Sequence, residues 1–155
     1  MKPVSDRLTN GDRDRQKGVA AVEFAIILPL FVILLLGIFE IGGMARDHQA
    51  LQNAAREGAR FSAMPANRTT GVTNGAAVEA TIKSRIVAYL ANEKITVAST
   101  DINVNQAYVL TLGGVTVNGS EITINYTRPI LFPGINGWIP LSTTLQGKAV
   151  FRNFY

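Results

Sequence analysis

The chain has 155 residues and no cysteine, which excludes disulfide bonds, thiolate metal sites and cysteine nucleophiles. Its length suits one small domain, with or without an anchoring segment. The formal net charge of +4 does not indicate nucleic-acid binding, because no basic cluster with interleaved aromatic residues lies beyond the N-terminal leader. We therefore expect no nucleic acid among the partners.

The N-terminal part combines a charged leader with a long apolar run. Residues 1–17 are polar and mixed in charge, which predicts a disordered leader. The run from Val19 to Met44 would extend about 39 Å as a helix, and a bilayer core needs about 20 residues. It therefore predicts a single transmembrane helix rather than a signal peptide, whose apolar core has about 7–15 residues. Five Lys or Arg precede the run and three Arg follow it closely, which predicts a cytoplasmic N-terminus.

Helical periodicity continues beyond the apolar run to about residue 62 and predicts an amphipathic stalk. Small or apolar residues recur three and four apart on one face, namely Ala50, Leu51, Ala54, Ala55, Gly58 and Ala59. Small residues allow another backbone to approach closely. This face suits packing against the outer domain of the same chain or against another subunit, and the sequence does not choose between them.

The remainder of the chain predicts a small α+β domain. Turn residues in 63–75 indicate a loop, and 76–92 has the pattern of a helix with a Glu79–Lys83 ion pair. Later segments alternate with a period of two. "KITVAS" and "DINVNQ" predict strands or extended pieces, whereas "AYVLTL", "EITINYT" and "TTLQGKAVFRNF" predict strands of an antiparallel sheet packed with that helix. The dipeptides Gly113-Gly114 and Asn118-Gly119 predict hairpin turns. The apolar loop around Trp138 suits a contact surface or, by preference, the core of the sheet.

One carboxylate near the start of the apolar run requires an explanation. Four explanations of Glu23 are open. It could be a tolerated charge near the membrane edge or a proton or ion relay. It could also be a carboxylate favoured by the helix dipole, or the partner of an amine created by cleavage. Cleavage after Gly18 would make Val19 the first residue and would place Glu23 fifth. The new α-amino group is positive at neutral pH, and a paired charge in hydrocarbon costs far less than an isolated one. We therefore interpret Glu23 as an assembly residue.

The N-terminal 17–61 segment resembles the TadE-like family of the tight-adherence (Tad/Flp) pilus system, which has prepilin-like signals of the type IV class. The resemblance is carried by Lys17-Gly18, Val19-Ala20-Ala21-Val22, Glu23-Phe24, Leu28-Pro29, Phe39-Glu40 and Ala55-Arg56-Glu57-Gly58-Ala59-Arg60. It does not extend to the C-terminal sheet.

The resemblance implies a pseudopilin or minor pilin of the bacterial inner membrane, with the C-terminal domain outside the cytoplasm. A prepilin peptidase would cleave between Gly18 and Val19, and Glu23 and Phe24 would act in assembly with other pilins and the assembly platform. The pilus would serve adhesion and biofilm formation. The implied division is a leader at 1–18, a transmembrane and stalk helix at 19–62 and an outer domain at 63–155. This outer domain is larger than that of a major Flp pilin, which argues against the role of main filament subunit.

Two other classes of function are weighed against this one. An uncleaved single-pass scaffold or binding module of the same apparatus would differ in its mature N-terminus. A membrane-anchored enzyme is disfavoured, because the sequence has no catalytic motif of the common hydrolases and no phosphate loop. We expect no catalytic residue, no metal site and no cofactor.

Overall fold

The computed structural model describes residues 5–67, 75–130 and 141–153. The predictions for the loop after residue 67 and for Trp138 lie outside these residues. The chain divides into two compact units, Met1–Ile41 and Gly42–Tyr155.

The first unit is helical wherever it is described. Helix α1 extends over Ser5–Ser62 and therefore continues into the second unit. It begins earlier than predicted, so the prediction of a disordered leader was wrong for residues 5–17. These residues contain no proline, and extending an existing helix costs much less than nucleating one. Pro29 lies inside α1 without ending it.

The apolar run exposes its side chains along most of its length. From Val19 to Ile41 the exposed large side chains include Phe24, Ile26, Leu30, Ile33, Phe39 and Ile41. The helix is long and apolar enough to cross a membrane, by length and composition. A helix that exposes apolar side chains in this way requires an apolar environment, such as lipid or neighbouring helices.

The second unit consists of the end of α1, a second helix and a three-stranded sheet. Helix α2 is Gly75–Asn92, and the strands are β1 (Ile102–Leu112), β2 (Val115–Pro129) and β3 (Ser142–Arg152). The strands are antiparallel in the order β1-β2-β3. The predicted α+β class, the long helix and the small antiparallel sheet packed with a helix are confirmed.

The hairpin between β1 and β2 differs in detail from the prediction. Gly113 and Gly114 form the turn with φ of 57° and 82°, where glycine is the least strained residue. Asn118-Gly119, the second predicted turn, instead lies within β2, because Asn118 pairs with Val109 and Gly119 with Tyr108. "KITVAS", predicted as a strand or an extended piece, forms no strand, and its Ile95 and Val97 are buried.

A bulge joins the two short segments predicted separately as "DINVNQ" and "AYVLTL" into one strand. The register shifts between Asn105 and Tyr108. Within the bulge, the Gln106 side chain is buried, and its Nε2 donates to Ser62 Oγ at 2.7 Å and to the Asn67 carbonyl at 2.7 Å. The bulge therefore aims a side-chain donor at the end of α1.

The core lies between the helices and one face of the sheet. Its fully buried large apolar side chains are Leu51, Ile82, Ile86, Leu90, Ile102, Ile122 and Ile124. On β3 the predicted alternation is confirmed: Gly147 is buried, while Gln146 and Lys148 on either side of it are exposed. The other face of the sheet is largely polar, which is usual for an antiparallel sheet covered on one side.

The small-residue face of the stalk packs against this same unit. Leu51, Ala55 and Ala59 are each 0% exposed. A Cβ placed on Gly147 of β3 would lie 2.5 Å from the Leu51 carbonyl oxygen. Of the two interpretations left open by the sequence, packing within the chain is therefore the one the structure supports for this face.

Candidate functional sites on the N-terminal helix

The predicted processing and assembly residues lie on consecutive turns of α1. Gly18, Val19 and Glu23 border one shallow groove of about 350 Å³, and Val19 is 59% exposed. Phe24 is 63% exposed and is not among the residues that line this groove. A Cβ on Gly18 would meet no atom within 4 Å, so the surroundings within the chain do not require glycine there.

Glu23 is an exposed carboxylate on an apolar helix. Within the described part of the chain, no cation forms an ion pair with it. Val19 lies four residues earlier, which is about one helical turn. The Glu23 carboxylate and the backbone nitrogen of Val19 are therefore offset by about 6 Å along the helix.

The six-residue block on the stalk divides into a buried half and an exposed half. Ala55, Gly58 and Ala59 are buried in the core. A Cβ on Gly58 would lie 2.6 Å from Ile86 Cδ1, so the absence of a side chain allows α2 to approach α1 closely. This half of the block positions the two helices.

The exposed half of the block borders an open groove between α1 and α2. We call it the stalk groove; it has a volume of about 540 Å³ and is lined mainly by Arg56, Glu57, Arg60, Arg85, Tyr89 and Phe151. Glu57 Oε1 accepts a hydrogen bond from Arg85 Nη2 at 2.9 Å. The Arg85 guanidinium also lies 4.6 Å from the centre of the Phe61 ring. Charged and aromatic groups thus meet at the part of the stalk that packs within the second unit.

A buried ion pair at the base of the second unit was missed by the sequence analysis. Asp47 is 6% exposed, and its Oδ2 accepts a hydrogen bond from Arg128 Nε at 2.8 Å. Arg46 Nη2 lies 3.1 Å from the other carboxylate oxygen. A Cβ on Gly43 would lie 2.7 Å from Arg128 Nη2, so the guanidinium packs across that glycine. The pair joins α1 to β2.

No local sequence pattern predicts this ion pair, because 81 residues separate Asp47 and Arg128 along the chain. Asp47 stands among polar stalk residues, and Arg128 follows a β-branched strand as an ordinary flanking charge. Their proximity depends on the sheet packing against α1, which the sequence alone does not position.

The described residues include no group of three or more His, Asp or Glu side chains arranged to hold a metal ion. His48 is exposed on the stalk. The groups found on the stalk are suited to charge pairing and packing.

A family model described as TadE-like protein matches residues 18–60. This confirms the resemblance for the segment that carries the Gly18–Glu23 region and the six-residue stalk block. Curated proteins and solved structures gave no match to the chain.

Proposed function

We propose that this chain, similar over residues 18–60 to TadE-like proteins, is a minor pilin or pseudopilin that assists assembly of a Tad/Flp type IVb pilus. The observation that carries the proposal is the extent of the match, which begins at Gly18 and ends at Arg60. It therefore includes the predicted processing residue, the assembly glutamate and the stalk block in one segment. The pilus would serve adhesion and biofilm formation.

In this proposal the membrane helix holds the protein in the bacterial inner membrane, with the leader in the cytoplasm and the α+β domain outside. Three Arg follow the apolar run closely and five Lys or Arg precede it, which supports this orientation. The functional division is a leader at 1–18, a transmembrane and stalk helix at 19–62 and an outer domain at 63–155. The buried stalk face packs within the second unit, so the end of the helix and the α+β domain belong to one folded unit.

Cleavage by a prepilin peptidase between Gly18 and Val19 would create the amine that Glu23 requires. Neighbouring subunits staggered by about one helical turn would then bring the amine of one subunit to the depth of the Glu23 carboxylate of the other. Phe24 would contribute apolar contact beside this pair. The pairing lowers the cost of both charges in hydrocarbon and favours a fixed axial offset between subunits.

An uncleaved scaffold of the same apparatus is the second candidate. It is favoured by one observation: α1 is helical from Ser5 through the Gly18–Val19 peptide bond. A peptidase acts on an extended segment, so cleavage requires these residues to leave the helix. In this alternative the leader remains attached and no amine arises beside Glu23.

The test of the assembly role is Glu23→Val in cells that express the full chain. We expect membrane insertion and the mature N-terminus to be unchanged and surface pili to be lost, because the charge partner of the amine is gone. Glu93→Gln, which removes an exposed carboxylate of the α+β domain, is the control and should retain pili. Normal piliation with Glu23→Val would contradict the pairing.

The test of processing is Gly18→Phe. A bulky side chain before the cleaved bond should block the peptidase and leave the leader attached, as seen by intact mass of the purified protein. A normal mature mass in this variant would refute Gly18 as the processing residue.

A further inference from the structure

We propose that the stalk groove binds an acidic segment of a partner protein. This site lies on the second unit and is separate from the Gly18–Glu23 region, so the inference does not depend on cleavage. It rests on the charges that line the groove, on the aromatic side chains beside them and on the charge of the unit as a whole.

Two guanidinium groups at the groove are available to a ligand. Arg56 and Arg60 are exposed, and among the described residues neither forms an ion pair or a side-chain hydrogen bond. They lie four residues apart on α1, which brings their side chains to the same face. Like charges at this spacing destabilise a helix. Each guanidinium presents a planar fork of donors that matches a carboxylate.

The third arginine shows how a carboxylate is held at this place. Arg85 projects from α2, binds the Glu57 carboxylate at 2.9 Å and stacks on the Phe61 ring at 4.6 Å. Its charge is balanced by Glu57, so the net positive charge of the groove comes from Arg56 and Arg60. Tyr89 and Phe151 add partly buried aromatic surface beside the charges. A segment that carries carboxylates and an apolar or aromatic side chain would match both kinds of surface.

The charge of the second unit argues against a second copy as the occupant. Residues 42–155 contain ten Lys or Arg and six Asp or Glu, which leaves a net charge of +4. Two such units would repel each other at close approach. An acidic partner would instead be attracted over several ångströms before contact.

The position of the arginines argues against lipid headgroups. Arg56 lies twelve residues beyond Met44, where the apolar run ends, which corresponds to about 18 Å of helix. The headgroup layer adds only about 5–8 Å to each side of the hydrocarbon core. A protein segment outside the membrane reaches this depth more readily than a phosphate of the bilayer.

The experiment places a photo-cross-linking amino acid at Asn53, an exposed residue at the groove, in the full chain in its native membranes. Mass spectrometry then identifies the cross-linked peptide. We expect a segment of another protein that contains at least two Asp or Glu residues. The variant Arg56→Gln/Arg60→Gln should reduce the yield by about tenfold or more, since loss of one charge-assisted contact is worth about a factor of ten.

The matched control is Lys83→Gln/Lys94→Gln, which removes the same charge from positions outside the groove and should leave the yield unchanged. Thermal unfolding of both variants shows whether a lower yield reflects misfolding. The N-terminal sequence of the same samples shows whether it reflects altered processing. Cross-linking to phosphatidylglycerol, to a second copy or to a segment without carboxylates would overturn the proposal. So would absence of a cross-link, or an unchanged yield in the arginine variant.

Discussion

At the scale of single residues, the close packing of the second unit depends on glycines at two crossings. Gly147 meets the backbone of α1 at Leu51, whereas Gly58 meets the side chain of Ile86 on α2. A side chain can shift its outer atoms, but a helix backbone cannot move without disturbing its hydrogen bonds. The two sites therefore differ in how well they would accept a methyl group.

We predict that Gly147→Ala destabilises the second unit more than Gly58→Ala does. Overpacking of this kind costs about 1–3 kcal/mol, and alanine in a helix returns about 1 kcal/mol at position 58. The measurement is urea unfolding of the full chain in detergent. Gly42→Ala is the control, because a Cβ there meets nothing within 4 Å. If Gly58→Ala and Gly147→Ala lower the free energy of unfolding equally, the contact of Gly147 with the backbone of α1 is not what limits substitution there.

The Asp47–Arg128 pair leads to a second prediction at this scale. Asp47→Ala removes the carboxylate that binds Nε of Arg128, whose side chain is 14% exposed. Removing one partner of a buried pair costs about 3–5 kcal/mol in the free energy of unfolding. Arg46→Ala removes the exposed partner of the same carboxylate and should cost less than about 1 kcal/mol. If the two variants lose similar stability, the buried pair does not join α1 to β2 as described.

At the scale of elements, an ion pair between adjacent strands is sensitive to alkaline pH. Lys148 Nζ on β3 lies 2.8 Å from Glu121 Oε2 on β2. The close contact with the Glu121 carboxylate is the main cause that raises the pKa of Lys148 above its ordinary value, and it outweighs the opposing effect of desolvation. Because the folded pKa is the higher one, the contribution to stability is complete below the unfolded pKa. It is lost as the pH rises through the folded value.

We therefore predict that the difference in stability between the native chain and Lys148→Met is small but constant near neutral pH. It should shrink above about pH 10.4, where the unfolded lysine loses its proton. Unfolding midpoints measured from pH 8 upwards test this, with Lys94→Met as the control for general alkaline effects. A difference that grows with pH would have the wrong sign and would reject the pairing.

Local periodicity was sufficient to predict most elements but not how they meet. The residues of α2 and the alternation in β3 report directly which faces are buried, so both predictions were confirmed. Asn118-Gly119 has the composition of a turn, yet the ladder with β1 continues through it because the turn at Gly113-Gly114 had already set the register. The bulge that directs Gln106 to Ser62 likewise depends on tertiary contacts.

At the scale of the whole molecule, the sequence predicted the membrane helix from its length and the outer α+β domain from its change of period. It did not decide what the small-residue face of the stalk contacts, because glycine and alanine serve packing within and between chains alike. The structure places Ala55, Gly58 and Ala59 in the core of the second unit. The exposed arginines of the same block remain for a partner.

The most direct test of the proposed function is the N-terminal sequence of the protein isolated from native membranes. Processing as a pilin predicts that the chain begins at Val19, with its α-amino group one helical turn from Glu23. A chain that begins at Met1 and retains the leader would contradict this account. Glu23 would then have no cleavage-derived amine, and the protein would instead be a fixed membrane component of the apparatus.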